Sequence, residues 1–208
     1  MTSFTVSCPR RVPLALKLSY GLATPLIAAV YARYYGPTNF LWLSDIALGQ
    51  TTAAVITETA LPASIAAIGV LPLEMAWNAD FVSGGRLMGL AGYMFDRKLP
   101  LGLRALSLFH VALPPTLLWL LRKFGYDRRA FAIQCGITWT VLPLTYALTE
   151  PAKNINWAFG PGTRPQKRLP PALYLALAMI AFPLLVHWPA HSGMRRLFRP
   201  AGRPRLTE

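Results

Sequence analysis

Apolar and polar positions along this chain fall into long blocks, not into the short periods of a half-buried helix or strand. Apolar stretches at 14–31, 40–57, 60–77, 103–121, 130–149 and 172–188 are joined by short connections that hold most of the charge. A bilayer core of about 30 Å takes about 20 residues of helix. The pattern therefore predicts an all-α polytopic membrane helix bundle of six spans. A further stretch, 81–95, holds Arg86 and four glycines, Gly84, Gly85, Gly89 and Gly92. Fifteen residues of helix cover only about 22 Å. This is a short Gly-rich helix: a seventh span, a re-entrant element, or one buried against its neighbours.

Local signals place the ends. Gly36-Pro37 cannot continue the first helix, and Asn39 is placed to cap the second. Lys17 can snorkel at the start of the first span, and Arg33, Tyr34 and Tyr35 mark its far interface. The second and third spans are dense in small residues, among them Ala47, Gly49, Ala63 and Gly69, which lets membrane helices approach closely. Pro114-Pro115 should kink the 103–121 span and free backbone carbonyls within it. The domain division is a polar tail at 1–12, a transmembrane domain at 13–190 and a basic tail at 191–208.

Composition sharpens this picture. The 208 residues are 54% hydrophobic and only 14% charged, with a mean hydropathy of +0.38. A soluble domain is usually about a quarter charged, so the deficit reflects spans. The net charge of +13 sits in connections and tail, with no basic helix face interleaved with aromatics. The partner this implies is anionic lipid headgroups and no nucleic acid; protein partners leave no signal. With six spans, the side holding both termini carries 12 Lys and Arg against 9 on the other. That asymmetry puts both termini in the cytoplasm of a bacterial inner membrane. Cys8 in the tail and Cys135 in a span form no framework, and no cleavable signal precedes the first span.

Candidate chemistry centres on Asp45, beside Ser44 near the start of the second span. A carboxylate at a membrane helix centre costs roughly 3 kcal/mol and survives by pairing. Six spans bring Asp45, Glu74, Asp80, Arg104, His110 and Asn154 toward one membrane face; seven would move His110 and Asn154 to the other. The expected partner of Asp45 is His110 or a backbone donor. In a catalytic reading His110 is general base, Asp45 orients it, and Ser44 accepts an acyl group or donates a hydrogen bond. Asn39, Trp42, Asn154, Asn156 and Trp157 would line the substrate site; alternatively, the last three fix a loop. Glu58, Glu74 and Asp80 are expected to face headgroups or solvent. No zincin, nucleophile-elbow, P-loop or dinucleotide signature is present. His110, His187 and His191 are too scattered for a metal cluster, so neither metal nor cofactor is expected.

At YGPTNFLWLSDIAL, GYMFDRKLPLGLRALSLFHVALPP, GYDRR and NINWAFGPG, the chain resembles a little-described bacterial family of multi-pass membrane proteins. That likeness covers nearly all of the chain from about Tyr35 onward and implies no established activity. More remotely, the order of elements is similar to that of the YwaF-like integral membrane family, which includes a eukaryotic acyltransferase acting on glycerophospholipids. There a polar span carries a cysteine, a later span a histidine after aromatics, and an asparagine-aromatic motif precedes the last span. The comparable positions here are Ser44, in place of the cysteine, then Phe109-His110 and Asn154 to Trp157. Three function classes fit: a pocket that binds or modifies a lipid or other amphipathic substrate, a proton-coupled transporter, and a non-catalytic membrane scaffold.

Overall fold

A computed structural model describes residues 11–201, leaving Cys8 and the arginines at 203 and 205 outside it. The described chain is helical: α1 (Leu14–Tyr35), α2 (Leu43–Thr57), α3 (Ala60–Val82), α4 (Leu101–Leu106), α5 (Phe109–Phe124), α6 (Ala130–Leu148), α7 (Pro171–Ala181) and α8 (Trp188–Leu197). No strand occurs among the described residues beyond an isolated bridge between Tyr126 and Pro200. Five segments are long and apolar enough to cross a membrane: α1, α3, Leu101–Phe124, α6 and Pro171–Leu197. Their leucines face outward in rows. On α1, Leu14, Leu18, Leu22 and Leu26 are all exposed, as are Leu173, Leu177, Leu184 and Leu185 on the last segment. Such surface is a liability in water and the expected coat of a protein in lipid. The fold is that of a multi-pass membrane helix bundle.

The stretch expected as a span at 40–57 is shorter than the others. Gly36, at φ +81°, stops α1, and a 3-10 turn over Pro37–Leu41 leads to α2. Fifteen residues of α2 cover about 22 Å. The helix expected at 81–95 is instead a loop ending in a 3-10 turn, Gly92–Phe95. Gly84, Gly85 and Gly89 adopt positive φ, which is incompatible with a continuing helix. At Gly85, a Cβ would also come within 2.6 Å of the Gly92 Cα. What winds the loop is Asp80 at the end of α3. Its carboxylate accepts four backbone N–H groups, from Leu87, Met88, Gly89 and Ala91, at 2.7–3.2 Å. Asp80 is fully buried and does not face solvent. The last helical segment also continues past residue 190, to Leu197, within the expected tail.

The hub is α3, 61% of whose apolar window is buried, against 17% for α1 and for the last segment. Lipid gives helices no hydrophobic reason to associate, so hydrogen bonds and close packing must do more. Prolines supply the acceptors. In an α-helix Pro72, Pro114 and Pro183 cannot bond the carbonyls four residues back, those of Ile68, His110 and Met179. A side chain from another helix takes each one. His187 Nδ1–H donates to Ile68 (3.3 Å), Asn78 Nδ2–H to His110 (2.9 Å) and Trp139 Nε1–H to Met179 (2.8 Å). Pro114-Pro115 does not end its helix, which runs on to Phe124. Pro183 lies in a π-turn, Phe182–His187, between α7 and α8. There buried His187 also accepts from Thr138, which accepts from Gln134.

Contacts gather the helix ends at two faces. At the end nearer the N-terminus, Lys17 pairs with Glu58 at 2.6 Å, Lys123 donates to the Arg11 carbonyl, and Tyr126 N–H donates to the Arg199 carbonyl. At the opposite end lie the turn after α1, the Asp80 loop and the 149–170 connection. The site is built there.

Candidate functional site

Between the helices at this second end lies a cavity of about 680 Å³. Thr38, Leu99, Lys153 and Thr163, from three connecting segments, are at its rim, and Val70 on α3 and Phe182 are among its deeper walls. Val70 lies about 18 Å back along α3 from Val82 at 1.5 Å per residue. Toward the first end the bundle closes on fully buried Ala54, Val55, Ala63, Ala66, Leu113 and Leu117.

His110 is held by one face of α3. Glu74, Trp77 and Asn78, spaced i, i+3 and i+4, project from the same side of a helix. Nδ1 of His110 lies 2.8 Å and 3.0 Å from the two oxygens of Glu74, so the imidazole donates to the carboxylate. Its ring stacks on Trp77, with centroids 4.5 Å apart, and on Phe109. Asn78 takes the carbonyl that Pro114 frees. Backbone, ring plane and one ring nitrogen are thus all fixed. The other nitrogen, Nε2, has no hydrogen-bond partner among the described residues, and His110 lines the cavity. Such an arrangement suits a proton acceptor or a hydrogen-bonding group for a ligand.

Glu74 is only 3% exposed and is the partner that sequence reading missed: it faces neither headgroups nor solvent. Its signal was the i, i+3, i+4 spacing with Trp77 and Asn78 on an otherwise apolar span.

Asp45 lines the same cavity, within electrostatic reach of both Glu74 and His110. Its hydrogen-bond partner is neither His110 nor a backbone donor. Asn39 donates Nδ2–H to Oδ2 at 2.8 Å, so Asn39 buttresses the carboxylate and does not cap α2. Ser44 also lines the cavity but forms no hydrogen bond with His110 among the described residues. Tyr31, on α1, shares a 2.8 Å hydrogen bond with Ser107 at the break between α4 and α5, tying two walls together.

The 154–157 segment builds the remaining wall by strain and fastening. Asn154, Asn156 and Trp157 have φ of +40°, +50° and +58°. Asparagine tolerates this region, whereas a bulky tryptophan there costs about 1–2 kcal/mol. Asn154 donates to the carbonyls of Gly160 and Gly162 and accepts from Phe159 N–H, closing the loop. Asn156 donates to the Leu41 carbonyl and accepts Leu43 N–H, satisfying one orphan donor at the start of α2. Tyr174 donates to the Trp157 carbonyl. Both amide side chains are therefore occupied by backbone, while Trp42 and Trp157 line the cavity. Among the described residues no group of three or more His, Cys, Asp or Glu side chains could hold a metal ion. The chain matches no family model, no curated protein and no solved structure.

Proposed function

We propose that this integral membrane protein binds an amphipathic small molecule, lipid-like in its dual character, in the cavity at the end of the bundle opposite its N-terminus. The observation that carries this reading is the cavity itself: about 680 Å³, walled by Trp42, Trp77, Tyr93 and Trp157. It closes inward on a ring-stacked histidine and its carboxylate. Ligand sites are typically apolar clefts of 300–1,000 Å³ with a few convergent polar groups. A scaffold whose polar residues served only helix packing would leave no such void. A proton-coupled transporter would need a polar path to the other face, where fully buried leucines and alanines close the bundle.

Any acid–base step at the site belongs to the Glu74–His110 pair. The acyl transfer implied by resemblance to the YwaF-like family would use Ser44, which His110 does not activate in this geometry, so the reading stops at binding. The first end carries Arg122, Lys123, Arg128, Arg129, Arg195, Arg196 and Arg199. With that basic end cytoplasmic, the cavity lies toward the outer face of the membrane.

The test is co-purification. Protein extracted in mild detergent is stripped with organic solvent and the released molecules are identified by mass spectrometry. Leu73 also lines the cavity, and wild type is expected to carry an amphiphile that Leu73→Trp, with an indole projecting into that space, has lost. Equal content in the two proteins would overturn the reading.

A further inference from the structure

The cavity holds one carboxylate that pairs with no Lys, Arg or His side chain among the described residues. Among the described residues Lys17 pairs with Glu58 and Arg129 with Asp127, and His110 donates a hydrogen bond to Glu74. Asp45 belongs to none of them. Asn39 supplies its hydrogen bond, at Oδ2, and Oδ1 has no partner among the described residues. The other charged groups lining the cavity are Glu74 and His110, engaged with each other, and Lys153 at the rim. An ionised carboxylate in an apolar cleft with no cation in direct contact is costly, and a ligand that brings one offsets that cost.

The walls around it have matching chemistry. Tyr31 is within electrostatic reach of Asp45, and Trp42 lies one helical turn before it, its carbonyl accepting Asp45 N–H. Tyr34, Tyr35 and Tyr93 also line the cavity. Aromatic rings attract cations through the negative face of the π system, and aromatic cages beside a carboxylate suit ammonium and quaternary ammonium groups. Phosphate or carboxylate would meet Asp45 and Glu74 with like charge.

From this combination we infer that the ligand carries a cationic, ammonium-type head seated on Asp45 among the aromatic rings, with its apolar part along Leu73, Val70 and Phe182. This rests on the binding reading above and adds the class of headgroup. Lys153 at the rim sets a limit: the cation belongs in the interior, and any anionic group of the same ligand would lie outside it.

The test uses the full chain in dodecyl maltoside, titrated with three twelve-carbon probes: dodecyltrimethylammonium, dodecyl sulfate and uncharged dodecanol. Binding is read from tryptophan fluorescence, because Trp42, Trp77 and Trp157 line the cavity, with Leu73→Trp as the filled-cavity control. The trimethylammonium probe is expected to bind at least about tenfold more tightly than dodecanol. Asp45→Asn, which keeps the side-chain shape, is expected to remove that preference, bringing trimethylammonium and dodecanol binding within about twofold of each other. Equal binding of all three probes, preference for the sulfate, or full cation preference in Asp45→Asn would overturn the headgroup inference and leave the binding reading standing. If no probe binds wild type better than Leu73→Trp, the binding reading fails and this inference with it.

Discussion

One half-buried histidine, His110, is held here through its backbone, its ring plane and one ring nitrogen. A carboxylate, an indole ring and an amide converge on it from three residues of α3, Glu74, Trp77 and Asn78. Breaking a buried pair by removing one partner costs about 3–5 kcal/mol, because the other is left stranded. Glu74→Leu and His110→Leu should each destabilise strongly. The double substitution should cost less than their sum by at least about 1 kcal/mol, as measured by thermal unfolding in detergent. Additive effects would mean that the two side chains do not depend on each other. Sequence made His110 and Asp45 visible as titratable groups in apolar surroundings, but not their partners. Glu74 near a helix end reads as interfacial until it is known that a loop wound on Asp80 covers that end. Asn39 reads as a cap, and only the turn over Pro37–Leu41 directs it onto Asp45 instead.

Helices in this bundle are tied by what proline removes. Asn78 compensates for the hydrogen bond that Pro114 cannot make, so the two substitutions should interact. Asn78→Leu leaves the His110 carbonyl buried without its donor and should cost about 1–3 kcal/mol. Pro114→Ala restores an N–H four residues on from His110 and should recover much of that loss in the Asn78→Leu background. Thermal unfolding of the two single variants and the double variant checks this; no rescue would show that the carbonyl does not depend on Asn78. The long spans were legible because unbroken apolarity over about 20 residues has few other meanings. The 81–95 stretch was misread because its apolar residues satisfy a hydropathy pattern, while its glycines and a single upstream carboxylate decide its backbone. Such long-range hydrogen bonds, like that of Asn156 to the start of α2 across 113 positions, leave no local trace.

Across the molecule, the two ends differ in character: one is the more basic and is clasped, the other holds the cavity. The clasp includes Glu58, which accepts from Lys17 and from Val12 N–H. The Lys17 hydrogen bond, reinforced by Val12 N–H, holds the Glu58 carboxyl below its ordinary value. A carboxylate whose folded value is depressed stabilises the protein above the unfolded value and loses that contribution as pH falls through the folded one. The difference in melting temperature between wild type and Glu58→Gln should therefore be present at neutral pH and close on acidification below the usual carboxylate range. A constant difference would exclude the ionised clasp. The division of the chain into apolar spans and basic connections was plain from sequence. That the opposite end contains a void was not, because a cavity is a property of how side chains from distant segments fail to fill space.

This void is proposed to receive an amphiphile. Photolabelling in native membranes with a diazirine-bearing alkylammonium probe tests it most directly, with cross-linked peptides located by mass spectrometry. Modification is expected at the cavity walls, at 31–45, 70–77 and 153–157, and should be competed by excess unlabelled probe and abolished in Leu73→Trp. Labelling confined to the outward leucines of α1 and the last helical segment, unaffected by competitor, would contradict it.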